Sequence, residues 1–336
     1  MRQVLVLGSS GFIGRRVSLA LAGADWASLV SDDARGPPGM DAGARRIVVN
    51  VEDPGSMAAA LRGIDTVVNC LGGKPETIVR GARALFAAAG RAVAPPLVVH
   101  LSSMAVYGSA QGTMGEDAPL RGDLGAYASA QIAAESSAAS YPRVVILRPG
   151  VEIGPDGESW SGRVARWLYA GRLGDLGPAG DGVCNLVHVE DLVTAIIICS
   201  QRREALGGTF NLAMSEPPTW NEYFIAFARQ LGAVPVRRIS RRALILEAKG
   251  FAVPLKALEL AARAAGLPAL SPPPIPPSLL RLARQEIRLD CRRAARVLDW
   301  TCRSREAALA DAAAGWHRDA AGRPLRVGKA DRPAAR

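Results

Sequence analysis

The run Val4-Leu5-Val6-Leu7-Gly8-Ser9-Ser10-Gly11-Phe12-Ile13-Gly14 constrains this chain more than any other stretch. Four consecutive apolar residues show no alternation, which suits a strand buried on both faces of a parallel sheet. Three glycines follow at three-residue spacing, and Arg15 to Ala22 reads as a helix. A strand, a glycine turn and a helix in that order make the phosphate-binding turn of a dinucleotide fold. Gly8 permits the tight turn, Gly11 lets the backbone approach a pyrophosphate, and Gly14 lets helix and strand pack closely. The amides of Ser10 to Ile13 would face the anion at the positive end of the helix. Glycines also serve plain turns, so the flanking strand and helix carry the cofactor reading.

Strand-like and helix-like segments alternate through the first two-thirds of the 336 residues. That pattern predicts an α/β fold, a doubly wound parallel sheet with helices on both faces. Ala27 to Val30 is the second strand, closed by Asp32 and Asp33, and Asp32 lies eighteen residues past Gly14. An acid there can accept hydrogen bonds from the adenosine ribose and repel a 2′-phosphate, which favours NAD, while Arg35 leaves NADP open. An ordinary turn acid is the plainer reading of Asp32. Ile47 to Val51 is the third strand, with Asn50 and Val51 at its end placed to flank the adenine. The fourth strand, Thr66 to Leu71, runs into Gly72-Gly73-Lys74, where glycines admit a cofactor and Lys74 can reach a phosphate or ribose.

The fifth strand, Leu97 to Leu101, ends in Ser102-Ser103, and His100 within it reads as a core or edge histidine rather than a catalyst. After a Gly/Ala-rich loop from Tyr107 to Gly125, the helix Ala126 to Ser140 carries many small residues, as at a dimer seam. The sixth strand, Val144 to Leu147, is followed by Arg148-Pro149-Gly150. Later segments are less regular. Ser161 to Ala170 reads as helix, Asn185 to Val189 and Gly208 to Ala213 as strands, and Trp220 to Leu231 as an amphipathic helix. The expected domains are a dinucleotide-binding core over 1–150 and a mixed region over 151–316. In the latter, 151–184 and 213–289 bind substrate and 185–212 return to the core. Residues 317–336 read as a disordered basic tail, from about Arg318 onward.

Composition narrows the partners. Hydrophobic residues make up 49% and charged residues 21%, and no apolar run approaches the ~20 residues of a membrane span. The first strand starts beside Met1, leaving no room for a signal peptide. Five cysteines without a CxxC pair read as reduced thiols of a cytoplasmic protein. Three histidines with no metal-ligand spacing predict no metal site. The net charge of +10 invites a nucleic-acid reading, but aromatics are only 5% and no stacking residues interleave the basic runs. Attraction to anionic cofactors and substrates is the more modest use of that charge. The Leu/Ala-rich segments between 243 and 285 read as a cap over a small-molecule pocket rather than a membrane-surface patch.

Together these motifs resemble the extended short-chain dehydrogenase/reductase family, also called the NAD-dependent epimerase/dehydratase family, over essentially residues 1–316. The resemblance rests on the glycine turn at 8–14, Leu-Ser-Ser-Met-Ala-Val-Tyr-Gly at 101–108 and the Tyr127 helix. It continues through Leu-Arg-Pro-Gly at 147–150, Asn-Leu-Val-His-Val-Glu-Asp-Leu at 185–192 and the Trp300 ending. It implies a Rossmann core, a cofactor that is NAD or NADP with NAD favoured, and a homodimer through the helices Ile78 to Ala89 and Ala126 to Ser140. It implies cofactor contacts from Gly8, Ser10, Gly11, Phe12, Ile13, Gly14, Asp32, Arg35, Asn50, Val51, Leu71, Gly72, Lys74, Tyr127, Gln131 and Pro149. By the same resemblance Tyr127 shuttles a proton to or from the reacting oxygen, Ser103 hydrogen-bonds that oxygen, and the nicotinamide exchanges hydride.

Two departures stand out. The family has a lysine one turn after the tyrosine, which holds the nicotinamide ribose and stabilises the phenolate. Here the residue is Gln131, which can bond a ribose hydroxyl but carries no charge. A tyrosine with an ordinary value near 10 is a poor base at neutral pH without such help. Three outcomes are open: another cation such as Lys74 or an arginine substitutes, Tyr127 acts only as an acid, or the site binds cofactor without turnover. Secondly, Met104-Ala105 stands where 4,6-dehydratases of the family carry Asp-Glu. Val151 stands where sugar-nucleotide epimerases usually carry asparagine. The surroundings of Arg148 to Pro155 look more like members acting on non-nucleotide substrates. The implied activity is an NAD(P)-dependent oxidoreductase on a moderately apolar small molecule. The alternatives are a sugar-nucleotide epimerase and a cofactor-binding protein with lost or altered catalysis.

Overall fold

The computed structural model describes residues 1–32, 45–246, 261 and 275–321. Its elements begin with β1 (Arg2–Leu7), α1 (Phe12–Ala22), β2 (Ala27–Ser31), β3 (Arg45–Arg46), α2 (Pro54–Ala60), β4 (Thr66–Asn69), α3 (Pro75–Arg91) and β5 (Leu97–Leu101). They continue with β6 (Gly112–Met114), α4 (Ala126–Ala138), β7 (Val144–Pro149), β8 (Val151–Ile153), α5 (Arg163–Tyr169), β9 (Leu186–His188), α6 (Val189–Gln201), β10 (Thr209–Leu212) and α7 (Trp220–Leu231). The last are α8 (Arg241–Ile245), α9 (Pro277–Leu282), β11 (Ile287–Leu289), α10 (Arg292–Leu298) and α11 (Arg305–Ala321).

The chain divides into two units. The first takes Met1–Glu152, Val183–Pro217 and Gln285–Ser304. It is built on a seven-stranded sheet in the order β10-β7-β5-β4-β1-β2-β3, with every ladder parallel. The strand order reverses between β1 and β4, which places the ligand crevice of such a sheet at the carboxyl ends of those two strands. Val4 and Val6 point into one core with Val17, Leu21, Leu192, Ile196 and Leu298. Leu5 and Leu7 point into the other with Met57, Ile78, Leu85 and Ala134. The strand's period of two therefore feeds two hydrophobic layers at once, which is why β1 shows no polar alternation. Each fully buried Leu or Val contributes about 1.5–3 kcal/mol relative to exposure.

In the second unit, α5, α7 and α11 surround an aromatic cluster. Trp167, Trp220, Tyr223, Phe224 and Phe227 are buried, Trp160 lies 5.3 Å from Trp220, and Tyr169 stacks on Trp316. A capping box starts α7: the Thr219 hydroxyl accepts from the Glu222 amide, and the Glu222 carboxylate accepts from the Thr219 amide.

Several local expectations shift. The third strand is Arg45–Arg46, not Ile47 to Val51. β2 ends at Ser31, which pairs with Arg46 and takes a last bond from the Ile47 amide at 2.9 Å, so the ladder stops there. The loop from Tyr107 to Gly125 contains β6, which pairs with β11. The helix expected over Ser161 to Ala170 opens with a π turn over Glu158–Gly162 before α5. Helix α11 runs through Arg318 to Ala321, where a disordered tail was expected; residues 322–336 lie outside the described ones. The small residues of α4 that suggested a dimer seam have another use, since Ala130, Ala134 and Ala138 are buried in the chain's own core beside α3. Most of the apolar cap segment, 247–260 and 262–274, also lies outside the described residues.

Candidate active site

Gly8 follows β1 directly with φ of 76°, and a Cβ there would stand 2.7 Å from the carbonyl oxygen of Cys70 after β4. A Cβ on Gly14 would overlap the Gly8 carbonyl oxygen. Bare backbone at these two positions lets α1 sit directly on the turn. Gly11 is the N-cap of α1; its own amide donates to the Gly8 carbonyl at 3.0 Å, and it offers no side chain to the first-turn amides. Ser10 and Gly11 are exposed, while Phe12 and Ile13 are half-buried. The positive end of α1 is therefore left for an acceptor from outside the helix.

Asp32 is more than a turn acid. Its carboxylate accepts from the Gly8 amide at 2.6 Å, the Ser9 amide at 3.0 Å and the Ser9 hydroxyl at 2.5 Å. It thereby joins the end of β2 to the glycine turn; Oδ1 takes both Ser9 bonds, and Oδ2, with the Gly8 bond alone, retains lone-pair capacity for a further donor. Arg35, the residue that left NADP open, lies outside the described residues.

The other expected cofactor residues scatter along the carboxyl edge. Asn69 at the end of β4 accepts from the Leu71 amide at 3.2 Å and donates to His100 Nδ1 at 2.9 Å, shaping the segment that leads to exposed Gly72. Pro149 is buried at the end of β7, paired with Leu212. Asn50 turns its side-chain oxygen to the Glu52 amide, in a turn rather than at a strand end, and Val51 packs partly against the α3-side core. Lys74 is the exposed N-cap of α3, and its charge acts on Glu52. His100 is buried and edge-packed on Phe86. Burial pushes it down to about 4, with the Glu135 carboxylate opposing. The network assigns its proton to Nε2, which is buried with no acceptor among the described residues.

Tyr127, Ser103 and Gln131 come together. The Gln131 side-chain amide donates to the Tyr127 phenol oxygen at 3.0 Å, and Ser103 is hydrogen-bonded to the same phenol. Ser103 caps the tight turn Met104–Tyr107, its hydroxyl accepting from the Ala105 amide at 3.2 Å. Gln131 is 3% exposed, and its Oε1 has no partner among the described residues. The Tyr127 ring is open, with 45% of the residue exposed, while its hydroxyl end is crowded by protein. Crowding pushes the phenol above its usual value, as does the Glu152 carboxylate. The bonds from Gln131 and Ser103 oppose the rise. Among the described residues no cation acts on this phenol, Lys74 included.

Two features escaped the sequence reading. Glu135, two turns beyond Tyr127 on the same face of α4, is held by Arg148 through bonds of 2.9 and 2.6 Å. It also accepts from the Ser102 hydroxyl at 2.5 Å. Arg148 further donates to the Tyr107 hydroxyl and the Glu116 carbonyl, and Tyr107 donates to Asn211. Burial opposes the Arg148 charge, but Glu135 and Tyr107 outweigh it and push the guanidinium further up. The spacing of Tyr127, Gln131 and Glu135 by four residues was the available signal. The second feature is Glu152, whose carboxyl desolvation pushes up to about 7. Its signal was an acid between Val151 and Ile153 in a run of buried apolar residues.

A parallel sheet with a glycine turn at its switch point, an acid clasping that turn and a tyrosine–serine pair at the same carboxyl edge define a dinucleotide-binding Rossmann protein of the epimerase/dehydratase kind. The family model described as NAD dependent epimerase/dehydratase family matches residues 4–213, and the chain belongs to that family. Protein YeeZ of Escherichia coli K12 is 32% identical over 142 residues, which are 42% of this chain and 48% of that protein. The chain thus spans about half the length of the curated relatives it matches. Among solved structures, UDP-glucose 4-epimerase of Thermotoga maritima with UDP-glucose has a TM-score of 0.69 at 17% identity, covering 95% of this chain and 99% of that one. The dTDP-glucose 4,6-dehydratase of Bacillus anthracis in complex with NAD has a TM-score of 0.71 at 15% identity, covering 96% and 98%. These two share the fold. Among the described residues no helix is long and apolar enough to cross a membrane.

Proposed function

We propose that the chain transfers hydride between a nicotinamide cofactor, NAD in preference to NADP, and the carbonyl carbon of a moderately apolar small molecule, with Tyr127 as proton donor. The observation that carries this reading is the Gln131 amide. One end is bound to the Tyr127 phenol, and the other is a buried acceptor with no donor among the described residues, free to take a ribose hydroxyl. The open α1 N-terminus and the bare contacts at Gly8 and Gly14 fit a dinucleotide diphosphate. Asp32, already clasping the turn, would receive the adenosine ribose hydroxyls and oppose a 2′-phosphate.

The cofactor, when bound, supplies the hydride. Ser103 orients the substrate oxygen by a hydrogen bond, and Tyr127 donates its phenolic proton to that oxygen as negative charge develops there. The resulting phenolate is reprotonated from water. A raised phenol hampers Tyr127 as a base far more than as a donor, because an alkoxide is more basic than any phenolate. This fits Tyr127 to the donor's role in ketone reduction.

The test is turnover of NADH and NADPH with a panel of ketones, beside binding titrations of both coenzymes. The expected result is NADH binding and turnover, with Tyr127→Phe losing about 10²-fold or more in kcat. No affinity for either coenzyme, or a Tyr127→Phe enzyme at full rate, would overturn the proposal. A second reading, epimerisation of a nucleotide sugar, takes its support from family membership. It predicts a new epimer by NMR with no net change in NADH, and it requires Tyr127 to accept a proton as readily as it donates one.

A further inference from the structure

Asn69 and His100 stand opposite each other in the β4–β5 ladder, and both are buried. Asn69 ends β4, and the Cys70 amide makes one more bond to β1, donating to the Leu7 carbonyl at 2.9 Å. The chain then crosses Leu71, Gly72 and Gly73 before Lys74 caps α3. This strap lies against the glycine turn: a Cβ on Gly8 would stand 2.7 Å from the Cys70 carbonyl oxygen and 3.3 Å from the Leu71 amide nitrogen. It therefore forms a wall of the crevice at the switch point between β1 and β4. The strap is tied down at Leu71, whose amide donates to Asn69 Oδ1 at 3.2 Å and whose side chain packs against Gly81 of α3. That bond fixes every bond behind it. A backbone amide only donates, so Asn69 presents its oxygen to Leu71 and its amino group to His100. His100 Nδ1, 2.9 Å from Asn69 Nδ2, is then the acceptor, and the ring carries its proton on Nε2. That proton has no acceptor among the described residues, a cost that an apolar side chain at position 100 would avoid. What the imidazole supplies in return is an acceptor that holds the Asn69 amide in one orientation. Phe86 of α3 packs edge-on against the ring, with centroids 5.7 Å apart, and steadies it.

We infer that His100 is a positioning residue for the coenzyme: through Asn69 it fixes the Leu71–Gly73 backbone against the glycine turn, so that the crevice is shaped before a dinucleotide enters. His100 itself touches no ligand and transfers no proton in this role. Its effect is preorganisation, since a strap already in place loses no freedom on binding. Without the Nδ1 acceptor the Asn69 amide is free to turn, and the Leu71 amide loses its fixed partner. The inference rests on the dinucleotide reading of the site, but one arm of its test needs no coenzyme.

The experiment compares His100→Leu, which fills the space without an acceptor, with His100→Asn, whose side-chain oxygen can take the place of Nδ1. It reads hydrogen exchange at the Leu71 amide and NADH affinity by fluorescence titration. His100→Leu should speed exchange at Leu71 about tenfold, a larger factor than at the β1 amides, and weaken NADH binding about tenfold. His100→Asn should bring both back to within about threefold of wild type. Asn69→Leu reaches the same bond from the other side, which keeps the test open if His100→Leu does not fold. Adding it to His100→Leu should weaken NADH binding no further, because the two residues act in series. A Leu71 amide as well protected in His100→Leu as in wild type overturns the inference, and so does NADH affinity that stays unchanged while that protection is lost. Wild-type protein that binds neither coenzyme fails the dinucleotide reading, while the exchange rates by themselves uphold or overturn the hold of His100 on the strap.

Discussion

The Gln131 Nε2 atom lies 3.0 Å from the phenol oxygen of Tyr127, one turn away on α4. A neutral amide thus occupies the place where the resemblance puts an ammonium group. It donates to the phenol oxygen, which supports phenolate slightly, but it brings no charge to offset the burial and the Glu152 carboxylate that push the other way.

Replacing that amide by a cation should therefore move the pH dependence of the site. Gln131→Lys is expected to lower the phenol by a unit or more, about 1.4 kcal/mol per unit, and to shift the rise of alcohol oxidation with pH down by the same amount. Oxidation kcat/KM measured across pH checks this. A profile that does not move would count against Tyr127 as the proton-transfer group.

Asp32 holds the turn, and in the proposed reading it also receives the ribose hydroxyls, so its charge has two separable roles. Asp32→Asn keeps the shape but loses charge-assisted bonds to the Gly8 and Ser9 amides, each worth about 1.5–3 kcal/mol. The expected outcome is NADH affinity lower by about ten- to a hundredfold and a narrower preference over NADPH. Fluorescence titration with both coenzymes measures it.

Glu135 and Arg148 form a buried pair of 5% and 6% side-chain exposure. Glu135→Gln leaves the guanidinium without its counter-charge and should cost about 3–5 kcal/mol of stability. Replacing both by apolar residues of similar volume should recover much of that loss. Urea unfolding of the single and double variants decides it.

His100 predicts an acid-side loss of stability. Folding holds its ionisation down at about 4 against an ordinary 6.5, so the unfolded chain takes up the proton first as pH falls. The contribution is complete above pH 6.5 and disappears as pH approaches 4. Between pH 7 and 4.5, wild type should lose about 2–3 kcal/mol more than His100→Gln. Equal losses in the two proteins would show that the ring is not held neutral.

The glycine turn, the order of strands and helices and the family pattern were legible because they are local. Val4 to Gly14 states its conformation through period and bare backbone, and Trp220 to Leu231 marks its own ends with a cap and a terminal glycine. The third strand was misplaced because the apolar character of Val48, Val49 and Val51 does not show where a ladder ends, and this one stops at the Ile47 amide. The alanines of α4 were legible as close packing, but not the partner they pack against.

By itself the sequence singled out the residues of the candidate site: the three glycines, Asp32, Ser103, Tyr127 and Gln131, where the resemblance implies a lysine. Each lies in a short pattern whose geometry follows from the backbone around it. Only the tertiary structure decided which charges surround Tyr127. It set Lys74 beside Glu52, tied Glu135 to Arg148 and brought Glu152 to bear on the phenol. Electrostatic influence depends on distance and burial, and both are set by how the elements pack rather than by separation along the chain.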